Sequence, residues 1–141
     1  MLDIDFMLYI LPRVLKASLI TLEISFLSLL FSIILGLLFS LIALSSGKII
    51  NIIIRCFVEF TRGVPQLVQI SIIYFALPYW GIYFNEFWTG VVALSFIGAG
   101  YTIEIFRNAV LTLDKGQHEA GKILGMNKFQ ILIYLLYPQI I

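Results

Sequence analysis

The chain reads as an all-α membrane protein, and three observations predict it. Of its 141 residues, 61% are hydrophobic and 12% are charged, and mean hydropathy is +1.04. Ordinary domains are roughly 45–50% apolar and about 25% charged. Charge is also absent from three long stretches: Ile24 to Gly47, Gly63 to Asn85 and Phe87 to Ile103. Finally, the basic residues are distributed unevenly between the connections that join those stretches. A large soluble core is excluded, because too few polar faces remain to meet water. Strands are not expected, because at membrane depth a helix satisfies its backbone within one segment.

A helix needs about 20 mostly apolar residues to cross about 30 Å of hydrocarbon. The gaps therefore predict three membrane helices over residues 18–44, 57–79 and 87–106, the last extending past its charge-free stretch to hold Glu104 and Arg107 at the interface. Arg13 and Lys16 precede the first. The stretch before it does not read as a cleavable signal: it carries Asp3 and Asp5 in place of a basic cluster, and lacks a small-residue cleavage site.

Orientation follows from the cations. Lys48, Arg55 and Arg62 lie between the first and second helices, and Arg107, Lys115, Lys122 and Lys128 follow the third. The connection between the second and third carries only Glu86. The positive-inside rule puts the two basic connections in the cytoplasm and the N-terminus outside. Tyr79, Trp80, Tyr83, Phe84, Phe87 and Trp88 cluster in the outer connection, where aromatic rings favour the headgroup level. A net charge of +1 gives no reason to expect nucleic acid. One cysteine, Cys56, forms no internal disulfide, and a lone His118 makes no histidine-rich metal site.

Ser28, Ser32, Gly36 and Ser40 recur every four residues on the first helix, a face that lets another helix approach closely. In the second, Pro65 removes one backbone hydrogen bond and predicts a kink or a fresh start beside Gly63. Read as one helix, Arg62, Gln66 and Gln69 share a face, and two roles fit them: interhelical hydrogen bonding, or lining a transport pathway. Glu59 with Arg62 and Glu104 with Arg107 each stand three residues apart, a spacing at which each pair can meet as an ion pair near its helix end.

Past Asp114 the chain turns polar. A short helix is expected across residues 117–124, with Gly125 as its left-handed C-terminal residue. Asn127 and Gln130 carry a capping-box pattern that opens the next apolar run, 129–137. Helix, tight turn and helix would project from the membrane, with Ala120 and Gly121 offering a small, flat surface.

This insert resembles the EAA loop of binding-protein-dependent ABC permeases, EAA-x3-G-x9-I-x-L-P. Glu119, Ala120 and Gly125 stand in register and Pro138 at the required distance, while Gly121, Leu135 and Tyr137 depart from the pattern. Glu59-Phe60-Thr61-Arg62-Gly63-Val64-Pro65 and Tyr101-Thr102-Ile103-Glu104-Ile105-Phe106-Arg107-Asn108-Ala109 resemble two motifs of the polar amino-acid subfamily, with Val64, Ile103 and Asn108 as departures. The resemblance runs over residues 14–141. It implies the fold of a type I importer transmembrane domain, represented by three helices and a coupling loop, 114–127. It implies a multi-pass permease of the bacterial plasma membrane that carries polar amino acids. Its partners would be an ABC ATPase, a second permease subunit (identical or not) and an extracytoplasmic amino-acid-binding protein. Glu119, Ala120, Gly121 and Gly125 would engage the ATPase. ATP and Mg would bind there and not to this chain, which lacks a phosphate-binding G-x-x-x-x-G-K-[ST] motif and is not itself an enzyme. Two other readings are a membrane scaffold without transport and a nonfunctional remnant. Subfamily members have five helices, so the resemblance also implies that Ser28, Ser32, Gly36, Gln66 and Gln69 face helices beyond Ile141.

Overall fold

The computed structural model describes residues 4–112, 115–127, 130–136 and 138. These are helical except at short connections: α1 (Ile4–Ser45), α2 (Lys48–Gly63), α3 (Gln66–Ser71), α4 (Glu86–Thr112) and α5 (Lys115–Ile123). Helix α3 runs on through a widened π-helical turn, Ile72–Ala76, and a tight 3-10 turn, Leu77–Trp80. A second π-helical segment, Ile131–Leu136, follows α5. Asp114 and Lys128 lie outside the described residues, as do Phe129 and Tyr137 of the last apolar run.

Every predicted membrane helix proves longer at one end or both. The first begins at Ile4, so that Arg13 and Lys16 lie inside it, with Pro12 accommodated in the interior. The third runs from Glu86, where the Asn85 side chain accepts a hydrogen bond from the Trp88 amide at 2.9 Å, to Thr112. The second differs most. Its chain is already helical at Lys48, and it is cut at Val64–Pro65 into α2 and α3. The charge gap missed residues 48–56 because Lys48 and Arg55 interrupt an otherwise apolar run. Helix α2 buries Ile54, Val58 and Thr61 and turns its charges away from them.

Helices α1 and α4 run parallel, in a register visible from four contacts. Ile24 meets Gly90, Ser28 donates to the Val91 carbonyl at 3.4 Å, Ser32 meets Gly98 and Thr102 meets Gly36. The small-residue row expected to face further helices is packed inside the chain, with Ser28, Ser32 and Ser40 all buried. A Cβ added at Gly98 would come within 2.7 Å of the Ser32 Cβ, and one at Gly36 would collide with Thr102. Small residues draw the two helices together and dispersion holds them there, since lipid offers no hydrophobic drive between helices.

Helix α2 packs across α4. Ala43, Ile54, Val58 and Ile103 form a buried cluster at one end of the bundle, with Phe39 and Phe57 packed on it. The Phe57 ring meets Phe39 at 5.8 Å and Phe96 at 6.2 Å, both edge to face. Thr61 sits directly over Gly100, which has no room for a side chain.

Candidate functional site

Two features stand out, one beside the middle of α4 and one beyond its end. The first is the break between α2 and α3. Pro65 has no N–H for the Thr61 carbonyl and the helix stops before it, so the last carbonyls of α2 lose their helical partners. Gln69, only 5% exposed, supplies the replacement: its Nε2 donates to the Thr61 carbonyl at 3.0 Å and to the Val64 carbonyl at 2.8 Å. The break lies about one helical turn past Thr61, which packs on Gly100. Broken backbone at membrane depth survives only where protein or water satisfies it, and here one side chain does so.

The break also undoes the shared face expected for Arg62, Gln66 and Gln69. Arg62 closes α2, whereas Gln66 opens α3 after extended backbone at Val64, so the helical phase does not carry across. Gln66 is exposed and Gln69 buried.

Between α2 and α4 opens a crevice of about 620 Å³, lined by Asn51, Arg55, Glu59, Arg62, Tyr101, Glu104 and Arg107 among others. Arg62 crosses it: Nη1 lies 3.9 Å from Glu104 Oε1, and the guanidinium stands 5.8 Å from the centre of the Tyr101 ring. The ion pair thus joins two helices. The in-helix pairs expected from spacing, Glu59 with Arg62 and Glu104 with Arg107, are not seen among the described residues, because α4 presents Glu104 to Arg62 across the crevice. All four residues nevertheless line one cavity. Sequence reading did not bring Asn51, Arg55 or Tyr101 to this site; the first two reach it because α2 starts at Lys48.

The second feature is the polar hairpin. Gly125 adopts φ +74°. Its amide bonds to the Lys122 carbonyl at 3.0 Å, and the Met126 amide bonds to the Gly121 carbonyl at 3.0 Å. This 5→2 and 6→1 pairing is the Schellman ending of a helix. Then Asn127 and Gln130 exchange bonds: Gln130 N–H to Asn127 Oδ1 at 2.8 Å, and Asn127 N–H to Gln130 Oε1 at 2.9 Å, a closed capping box. The hairpin is held by its own local chemistry.

Its faces are not those expected. Glu119 and Ala120 are exposed, but Gly121 is buried and faces inward: a Cβ there would come within 2.6 Å of the Ile131 side chain. Ile131, 1% exposed, packs in turn among Leu41, Leu44, Val110, Met126 and Leu135. A glycine on α5 thus lets the hairpin seat against the ends of α1 and α4. The outward surface carries Ile123 and Leu124, 86% and 74% exposed, which sequence reading passed over. Large apolar side chains at the tip of a polar hairpin mark a contact surface.

The family model of the binding-protein-dependent transport system inner membrane component matches residues 28–141, which take in both features. The chain belongs to this family. The putative glutamine transport system permease protein GlnP of Rickettsia prowazekii is 33% identical over 129 residues, covering 91% of this chain and 59% of that protein. The arginine transport system permease protein ArtQ of Bacillus subtilis is 37% identical, covering 91% and 59%. A crystal structure of an amino acid ABC transporter with histidines superposes with a TM-score of 0.85 at 32% identity, over 99% of this chain and 65% of that one. The fold is therefore that of a type I ABC importer transmembrane domain. The chain spans about three fifths of the length of the curated relatives it matches.

Proposed function

We propose that this permease chain serves an ATP-driven importer of polar amino acids, as a multi-pass subunit with its N-terminus outside. The single observation that carries the proposal is the hairpin. A helix closed by Gly125 and reopened by Asn127 presents Glu119, Ala120, Ile123 and Leu124 outward and anchors through Gly121 and Ile131 to both long helices. Such a piece transmits a push. An ATPase that grips the outer surface moves the ends of α1 and α4 with it, and an equilibrium between outward and inward access shifts with the nucleotide state of the partner. Glu119 pairs with a donor on that partner, and leaving it unmatched in a desolvated interface is costly. ATP and Mg act on the ATPase. A second permease subunit completes the pathway, and an external binding protein delivers the cargo.

The crevice is proposed as the chain's share of that pathway. Arg62 and Glu104 offer opposite charges across a cavity, a fit to the zwitterionic backbone of an amino acid, and Gln66 stands exposed beside the break. Gln69 holds the break open.

The test is Gly125→Asp in vesicles holding the permease, its ATPase and its binding protein. A side chain at φ +74° is disfavoured, so the hairpin should lose its turn. ATPase association and uptake are expected to fall together while membrane insertion is retained. Association and uptake at the unsubstituted level would overturn the coupling assignment.

A further inference from the structure

The parallel register of α1 and α4 leaves the first four turns of α1 alone. Ile24 lies against Gly90, so Glu86, the first residue of α4, stands level with Ile20. Residues 4–19 run on for about 24 Å at 1.5 Å per residue. This arm is apolar and open on nearly every side: Ile4, Met7, Leu8, Leu11, Val14, Leu15 and Leu19 are each 50% exposed or more. Its charged groups are confined, and Ser18 on the other side spends its hydroxyl on the Val14 carbonyl at 2.9 Å. Asp5, Tyr9, Arg13 and Lys16 fall within about 80° of one another around the helix, and Arg13 is clamped to Tyr9 on the arm's own surface. The guanidinium sits 4.7 Å from the ring centre, and Nη2 donates to the hydroxyl at 2.8 Å.

We propose that the arm is seated in the headgroup–acyl boundary of the leaflet at the N-terminal end of the span. Its wide apolar surface faces the acyl chains, and Arg13 and Lys16 face lipid phosphate. Three arguments favour lipid over other occupants. At 42 residues α1 measures about 63 Å, well beyond the ~40–45 Å of a whole bilayer with headgroups, which leaves an outer part free to lie along the surface. The arm continues, without a break in the helix, the segment of α1 that crosses the membrane. Its apolar surface also wraps three quarters of the helix, which lipid can wet on all sides and a protein groove meets on one. An aromatic ring beneath a cation at the polar edge is the usual anchor at headgroup depth. Pro12, unable to bond to the Leu8 carbonyl, gives the arm a place to bend toward the surface.

Single spin labels at Asp5, Leu8, Leu11, Leu15 and Lys16, in a Cys56→Ser background, test this in phosphatidylcholine–phosphatidylglycerol vesicles. Collisions with oxygen report acyl chains, and collisions with a water-soluble nickel complex report water. Oxygen is expected to dominate at positions 8, 11 and 15, with the ratio reversed at 5 and 16. Nickel access at all five would mean an arm standing in water, and oxygen dominance at all five an arm sunk into the hydrocarbon. Loss of both signals at 8, 11 and 15 would mean packing against protein. Each of these three results overturns the proposal, and none bears on the coupling hairpin.

Discussion

The two faces of α4 are built on opposite terms. Toward α1 it has a seam without spare volume, where Gly36, Gly98 and three buried serines let the helices touch. Toward α2 it opens a crevice lined with charge and bridged by one ion pair of 3.9 Å. The seam gains its stability from close contact and has no room for an added atom at Gly36 or Gly98. The crevice contributes little stability, and its neighbouring helix is cut at Pro65 and held together by a single side chain. One face of α4 is closed, and the other is open.

Substitutions that add or remove a few atoms separate these faces. Gly36→Ile forces a branched side chain into Thr102, and a cost of about 3 kcal/mol or more is expected, read as a lowered unfolding midpoint in mixed micelles. An unchanged midpoint would mean the seam yields. Gln69→Leu keeps the volume but strands the Thr61 and Val64 carbonyls. About 1–3 kcal/mol should be lost, together with faster amide exchange around residues 61–69 and not in α1. The sign reverses for Thr89, whose buried Oγ1 has no hydrogen-bond partner among the described residues. Thr89→Val should hold or raise stability by about 1 kcal/mol, and a clear loss would reveal a partner. Smallest is Glu104→Gln: the pair is part-exposed, 46% and 30%, so no more than about 1 kcal/mol of stability is expected to change. Uptake should nevertheless fall if the crevice carries cargo, and unaltered uptake would remove Glu104 from the pathway.

Legibility in the sequence tracked the range of the interaction. The Gly125 turn and the Asn127–Gln130 box were readable because each closes within a few residues. The break at Pro65 was readable too, for the missing N–H is a property of one residue. Its consequence was not: once the helix restarts, Gln66 and Gln69 no longer keep phase with Arg62. Gly121 looked like part of an outward surface until Ile131, ten residues on, was seen to occupy the space it leaves.

Composition, charge-free stretches and capping residues by themselves determined an all-helical membrane chain, its broken second span and its capped polar hairpin. All of these follow from solvent transfer and from bonds between near neighbours. Only the tertiary structure decided that the serine row meets α4, that Arg62 reaches Glu104, and that Gly121 seats on Ile131. Such partners are chosen by how separate helices register against one another, and that register is an outcome of packing no single segment encodes.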